Sequence, residues 1–126
     1  MNTQLWFGMA SILLALGVGA GAFGAHALKG VLDTYASGIY EKAVFYHFVH
    51  ALGMLIVVLG TKVQLIPETV GARASLLLLV GVLLFSGSLY GLALSGWRLL
   101  GMVTPFGGTA FILAWGYLAI DSFRRM

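Results

Sequence analysis

Long uncharged apolar runs, broken by short charged stretches, set the pattern of this chain. They extend over Leu5–Ala25, Ala43–Thr61, Ala74–Trp97 and Leu99–Ile120. At about 1.5 Å of rise per residue the first run makes roughly 31 Å of helix, enough to cross the hydrocarbon core of a bilayer. The pattern predicts four transmembrane helices, over about 5–25, 43–61, 74–97 and 103–121, in one all-α domain folded as a compact antiparallel bundle. In the fourth run, Thr104 is placed to serve as N-cap and Pro105 as first helical residue, where its missing N–H costs nothing. That helix is expected to end near Asp121, with Arg124 and Arg125 closing it. Residues 62 to 73 read as a turn, with Pro67 and Gly71 as breakers. Between the first two runs, Leu28, Val31, Leu32, Tyr35 and Ile39 recur at helical spacing, and Lys29 and Asp33 form an i, i+4 pair on another face. This predicts a short helix lying in the membrane interface and broken near Gly38, with a plain polar loop as the alternative.

Composition names the solvent. Of 126 residues, 60% are hydrophobic and 9% charged, and the mean hydropathy is +1.00. Soluble domains carry about 25% charged residues, so lipid must cover much of this surface. Seven Lys and Arg stand against four Asp and Glu. They sit at segment ends, which points to lipid headgroups and membrane orientation and away from nucleic acid. The absence of cysteine excludes disulfides, zinc thiolates and iron–sulfur clusters.

Ala25-His26-Ala27 has the form of a signal-peptidase site, but Met1–Gln4 carries no side-chain charge and the run is too long for a signal peptide's apolar region. The first helix is therefore expected to be retained. Loop two and the C-terminus hold Lys62, Arg73, Arg124 and Arg125, against Lys29, Lys42 and Arg98 on the other side. The excess is one cation and favours both termini in the cytoplasm.

Small residues are spaced for close helix packing. Gly17 and Gly21 form a G-x-x-x-G, which Gly24 extends. Gly87 and Gly91 form another, extended by Ser95. Such faces let another backbone approach in lipid. Gly17, Gly19 and Gly21 follow no strand and make no dinucleotide fingerprint.

Most of the remaining polar groups fall in one half of the bundle, and the other half offers little beyond Ser11 and Thr61. Four spans bring together the end of helix 1, the start of helix 2, the end of helix 3 and the start of helix 4. That half holds His26, His47, His50, Ser86, Ser88, Tyr90 and Thr104. Left unpaired in an apolar medium, each would cost about 2–7 kcal/mol. They are expected to meet one another or to line a pocket. His47 and His50, at i, i+3, are expected on one side of helix 2. Three readings compete: hydrogen bonds between helices, a proton-linked or substrate-gating site, and a metal or haem site. No carboxylate or thiol is spaced to complete a metal set inside the bundle, so no cofactor is expected and the metal reading rests on histidines alone. No serine lies in a G-x-S-x-G elbow, and catalysis is not expected. The tryptophans read as interfacial anchors or packing.

Four stretches then carry a family resemblance. They are Gly21-Ala22-Phe23-Gly24-Ala25-His26-Ala27-Leu28; Tyr40-Glu41-Lys42-Ala43 with Tyr46-His47 and His50-Ala51-Leu52; Ser86-Gly87-Ser88-Leu89-Tyr90 with Leu92-Ala93-Leu94-Ser95; and Thr104-Pro105-Phe106-Gly107-Gly108. In this order, over nearly the whole chain, they resemble the DUF423 family, also called UPF0382. These are small bacterial membrane proteins similar to the eukaryotic transmembrane protein 256. The resemblance implies a four-helix inner-membrane protein with a retained first helix, and supplies no activity. It carries His26 and His50 more firmly than His47, and so points to that pair for any ligand. The expected role is a structural or accessory membrane component, as a homo-oligomer or within a larger complex. The alternative is a small carrier or channel for a proton, metal or small solute, with His26, His50 and Tyr90 lining a half-membrane pocket.

Overall fold

A computed structural model describes all residues, Met1–Met126. The chain is helical throughout: α1 (Thr3–His26), α2 (Thr34–Lys62), α3 (Glu68–Gly81), α4 (Gly87–Ser95) and α5 (Thr104–Arg124). A π-helical turn over Val82–Ser86 joins α3 to α4, so the two form one bent rod, and a 3₁₀ turn over Arg98–Met102 leads into α5. Four helical stretches are therefore long and apolar enough to cross a membrane: α1, α2, the α3–α4 rod, and α5 with its leading turn. This is the predicted all-α four-helix bundle.

α2 is the central helix, with α1 packed on one side and α3, α4 and the π turn on the other. α5 packs mainly on α3 and the π turn. The core runs through all four spans, from Ala10 and Leu13 through Ala51, Met54 and Val57 to Ala74, Leu78, Val82, Phe111 and Ala114. Six of these ten are alanine or valine, as expected where neighbouring backbones must come close without a hydrophobic drive between helices. Large apolar side chains such as Ile12, Phe45, Ile56, Leu83 and Ile112 point outward, where lipid covers them.

Several boundaries differ from the sequence expectation. No separate interfacial helix lies between the first two spans. Residues 27–32 form turns, with Gly30 in the left-handed region at φ 77°, so the apolar period across Leu28 to Ile39 is not carried by one helix. Asp33 does not pair with Lys29 along a helix. Its side chain caps α2 by accepting from the Ala36 N–H at 2.7 Å. The helix then runs unbroken through Gly38. Thr104 is not an N-cap either: α5 begins on it without a side-chain cap, although Pro105 does fall in the first turn. Gly71 breaks nothing. It lies inside α3, where an added Cβ would collide with Thr61 of α2. Gly96, at φ 70°, ends α4 at Ser95, two residues short of Trp97.

The α1 glycines are matched by α2 within the chain. A Cβ on Gly17 would lie 3.2 Å from the Phe48 ring, one on Gly21 would lie 3.6 Å from Val44, and one on Gly24 would run into Tyr40. The second motif does not behave alike. Gly91 packs under Leu100, whereas Gly87 is exposed and a Cβ there would meet nothing. The glycine of close approach in this region is Gly107, whose Cα lies against the Phe85 backbone.

Candidate functional site

The polar side chains of the loop-one and loop-three half are mostly buried, and nearly all have partners across a helix seam. His47, in the middle of α2, shares a 3.0 Å hydrogen bond with the Tyr90 hydroxyl of α4 through Nδ1. Tyr90 packs edge-on against Tyr40, with ring centroids 5.2 Å apart. The Tyr40 hydroxyl donates to the Ala20 carbonyl of α1 at 2.5 Å. This series joins α4, α2 and α1. The other ring nitrogen of His47, Nε2, is buried without a hydrogen-bond partner, although the Leu13 backbone of α1 faces the ring.

Ser86 ends the π turn and donates to the Ala43 carbonyl of α2 at 2.8 Å. Ser88 donates to the Phe85 carbonyl at 3.0 Å and lies 2.7 Å from the Thr104 hydroxyl of α5. A serine has one hydroxyl proton. With that proton on the Phe85 carbonyl, Thr104 must donate to Ser88. The close approach at Gly107, one turn into α5, brings these two hydroxyls together.

His50 stands apart from this group. Its Nδ1 lies 2.8 Å from the Tyr46 carbonyl one turn back. Its ring stacks on Phe111 of α5, with centroids 3.4 Å apart and planes at 12°. Trp115 closes the same seam and lies over Gly53, where an added Cβ would sit 2.6 Å from the indole. His47 and His50 therefore do not share a site. An i, i+3 pair is offset by about 60° around a helix, and here that offset separates the α4 seam from the α5 seam. His26 is exposed at the end of α1 and joins neither. A cavity of about 390 Å³ does open at that end, lined by Gly21, Gly24, Lys29, Tyr40 and Glu41, but none of the predicted pocket side chains lines it.

The predicted polar half thus resolves into two interhelical clamps, Tyr90–His47 with Ser86–Ala43 on α2 and Ser88–Thr104 on α5, and a separate aromatic nest around His50. No three His, Asp or Glu side chains are grouped to hold a metal ion. Tyr40 is the residue that sequence reasoning missed. It fills the Gly24 notch and links two seams. Its place at the head of the Tyr40-Glu41-Lys42-Ala43 stretch was the available signal. Trp115, read as anchor or packing, is a packing residue against α2.

The opposite end is tied by charge and backbone. Arg125 pairs with Asp121 at 2.8 Å and donates to the Leu65 carbonyl of loop two at 3.0 Å. Arg73 donates to the Tyr117 hydroxyl at 3.3 Å.

A bundle of four apolar spans, closed by hydrogen bonds inside its lipid-facing shell, defines a multi-pass membrane protein. The family model described as "Protein of unknown function (DUF423)" matches residues 20–108. The chain is 41% identical over 124 residues to the UPF0382 membrane protein SH2409 of Staphylococcus haemolyticus, covering 96% of this chain and 97% of that one. It is 41% identical over 127 residues to the UPF0382 membrane protein YwdK of Bacillus subtilis, covering all of both chains. A UPF0382 membrane protein of Haemophilus influenzae is 37% identical over 85% of this chain and 84% of its own. The chain belongs to the DUF423 (UPF0382) family of membrane proteins. No solved structure matches it.

Proposed function

We propose that this protein is a non-enzymatic structural or accessory component of the bacterial plasma membrane, with both termini in the cytoplasm, acting as a homo-oligomer or within a larger membrane complex. The observation that carries this reading is how the buried polar groups are used. Ser86 reaches a carbonyl of α2, His47 is held by Tyr90, and Ser88 and Thr104 satisfy each other. Groups committed to holding helices are poorly placed to turn over a substrate or pass one along. A carrier pocket would need His26, His50 and Tyr90 to converge, and they lie at the end of α1, in the α5 seam and in the α2–α4 seam.

The case for association shifts within the chain. The Gly17-Gly21-Gly24 stripe is filled by α2, so it is not a free face. Gly87 is exposed and would accept a neighbouring helix. The orientation rests on the cations of loop two and the C-terminus, two of which, Arg73 and Arg125, also brace that end. Extraction in a mild detergent followed by mass measurement tests the proposal. A stable species of two or more 13.4 kDa chains, or a complex of fixed stoichiometry, is expected, and it should dissociate in Gly87→Leu. A strictly monomeric protein with no co-purifying partner would overturn it.

A further inference from the structure

Outside the clamps, one ring nitrogen of a buried histidine is left without a partner at the edge of the bundle. A groove of about 530 Å³ lies between α2, the π turn and α5, lined by Tyr46, His50, Phe85, Phe111, Trp115 and Gly116. Its volume is in the range of small-molecule sites. Four aromatic rings wall it, and Gly116 leaves it open, since a Cβ there would meet nothing within 4 Å.

His50 is 6% exposed overall. The Tyr46 carbonyl can only accept, so Nδ1 carries the proton of that 2.8 Å hydrogen bond. In the uncharged ring Nε2 is then an acceptor. Nε2 makes no hydrogen bond within the protein, yet it is not among the sealed, unsatisfied atoms of the interior as His47 Nε2 is. His50 lines this groove and none of the other cavities, so the groove is the open space available to this lone pair. An uncompensated acceptor in an apolar wall calls for a donor.

Depth narrows what can supply that donor. His50 lies eight residues beyond Lys42, roughly 12 Å along the helix from the charged boundary. A phospholipid headgroup does not reach that level of the hydrocarbon, and a bare acyl chain has no donor. Cations and anions are disfavoured among aromatic rings in lipid. An uncharged hydroxyl on a flat apolar body satisfies both the rings and the lone pair.

We propose that this groove binds a lipid-soluble hydroxyarene, a phenol or hydroquinol ring on an apolar tail, which enters from the bilayer, packs against Phe85 and Trp115, and donates its hydroxyl to His50 Nε2. The site is separate from the clamps and does not depend on the proposed accessory role.

The test uses the full chain in nanodiscs, with ring-¹⁵N histidine, titrated with 4-nonylphenol and, as the control without a hydroxyl, nonylbenzene. Nonylphenol is expected to shift the His50 Nε2 resonance saturably and to bind about tenfold more tightly than nonylbenzene, the worth of one hydrogen bond. His50→Phe keeps a ring on Phe111 and should erase that tenfold preference. Gly116→Leu, which adds bulk only where there is open space, should abolish the shift while leaving the His47 resonance in place. Equal binding of both probes would overturn the proposal, since it would mean unspecific partitioning. So would a nonylphenol shift that survives Gly116→Leu, or a Gly116→Leu protein that loses only self-association, because a second copy would then be the occupant.

Discussion

The two ends of the bundle solve the same problem by different means. At the loop-one and loop-three end, buried hydroxyls and an imidazole bond across seams, from Ser86 to Ala43, Tyr90 to His47 and Thr104 to Ser88. At the loop-two end, Thr61 and Ser75 are as deeply buried, yet neither reaches another helix. Thr61 donates to Val57 within its own helix at 2.8 Å, and Ser75 has no partner. There the fit is by shape, with Gly71 of α3 against Thr61 of α2 and Gly60 under Ile66 of loop two. Lipid tails are as apolar as leucine, so hydrophobicity cannot choose a helix's neighbour. The comparison shows the two devices left: a hydrogen bond that only one partner can complete, or a notch that only one partner can fill.

The largest effect should come where both devices meet. Gly107→Ala would press a methyl group into the Phe85 backbone, which has no rotamer to escape through. It should cost about 3 kcal/mol, the upper range for overpacking, and part Ser88 from Thr104. Reversible unfolding in mixed micelles would measure it, and a loss below about 1 kcal/mol would mean that α5 can slide. Gly71→Ala tests the shape-fitted end and should cost about 2 kcal/mol by the same mechanism. Its cost should shrink when Thr61→Ala is also present, because the Thr61 side chain is what the new methyl strikes. Strict additivity in that double-mutant cycle would refute the notch.

Tyr90→Phe is expected to cost about 1–3 kcal/mol, since it leaves the His47 ring without a partner at either nitrogen. The sharpest contrast is the smallest in size. Ser86→Ala should destabilise by about 0.6–1.7 kcal/mol, as interhelical hydrogen bonds in bilayers do. Ser75→Ala, equally buried, should change stability by less than about 0.5 kcal/mol, because its hydroxyl has nothing to lose. Equal losses at the two serines would erase the distinction between the ends.

How much of this was legible varies with the physics involved. The four spans were readable because lipid leaves a backbone no option but to bond within itself. Their ends were less so. The stretch from Leu28 to Ile39 has a helical period, but Gly30 turns the chain and Asp33 caps a new helix inside it, and a period does not show a cap. The clustering of polar groups in one half followed from counting depth along helices, and it held for His47, Ser86, Ser88, Tyr90 and Thr104. Depth does not give azimuth, however. His26 and His50 lie outside that cluster because rotation about each helix is set by packing. The glycine motifs illustrate the same limit. Gly17, Gly21 and Gly24 do meet a neighbour, Gly87 does not, and Gly107, in no such motif, makes the closest backbone approach.

The π turn at Val82–Ser86 has a consequence for how the third span is read by its neighbours. A π turn spends about one residue more per revolution than an α-helix, so everything after it is set back by about 100° from where a straight helix would carry it. α3 and α4 are thus one rod in two rotational phases. The first phase presents Ala74, Leu78 and Gly81 to α2 and α5. The second swings Ser86, Ser88 and Tyr90 onto lines that a straight helix of the same sequence would not reach. Straightening that turn into a plain α-helix would leave composition, length and hydropathy unchanged, and would still take every clamp out of register at once.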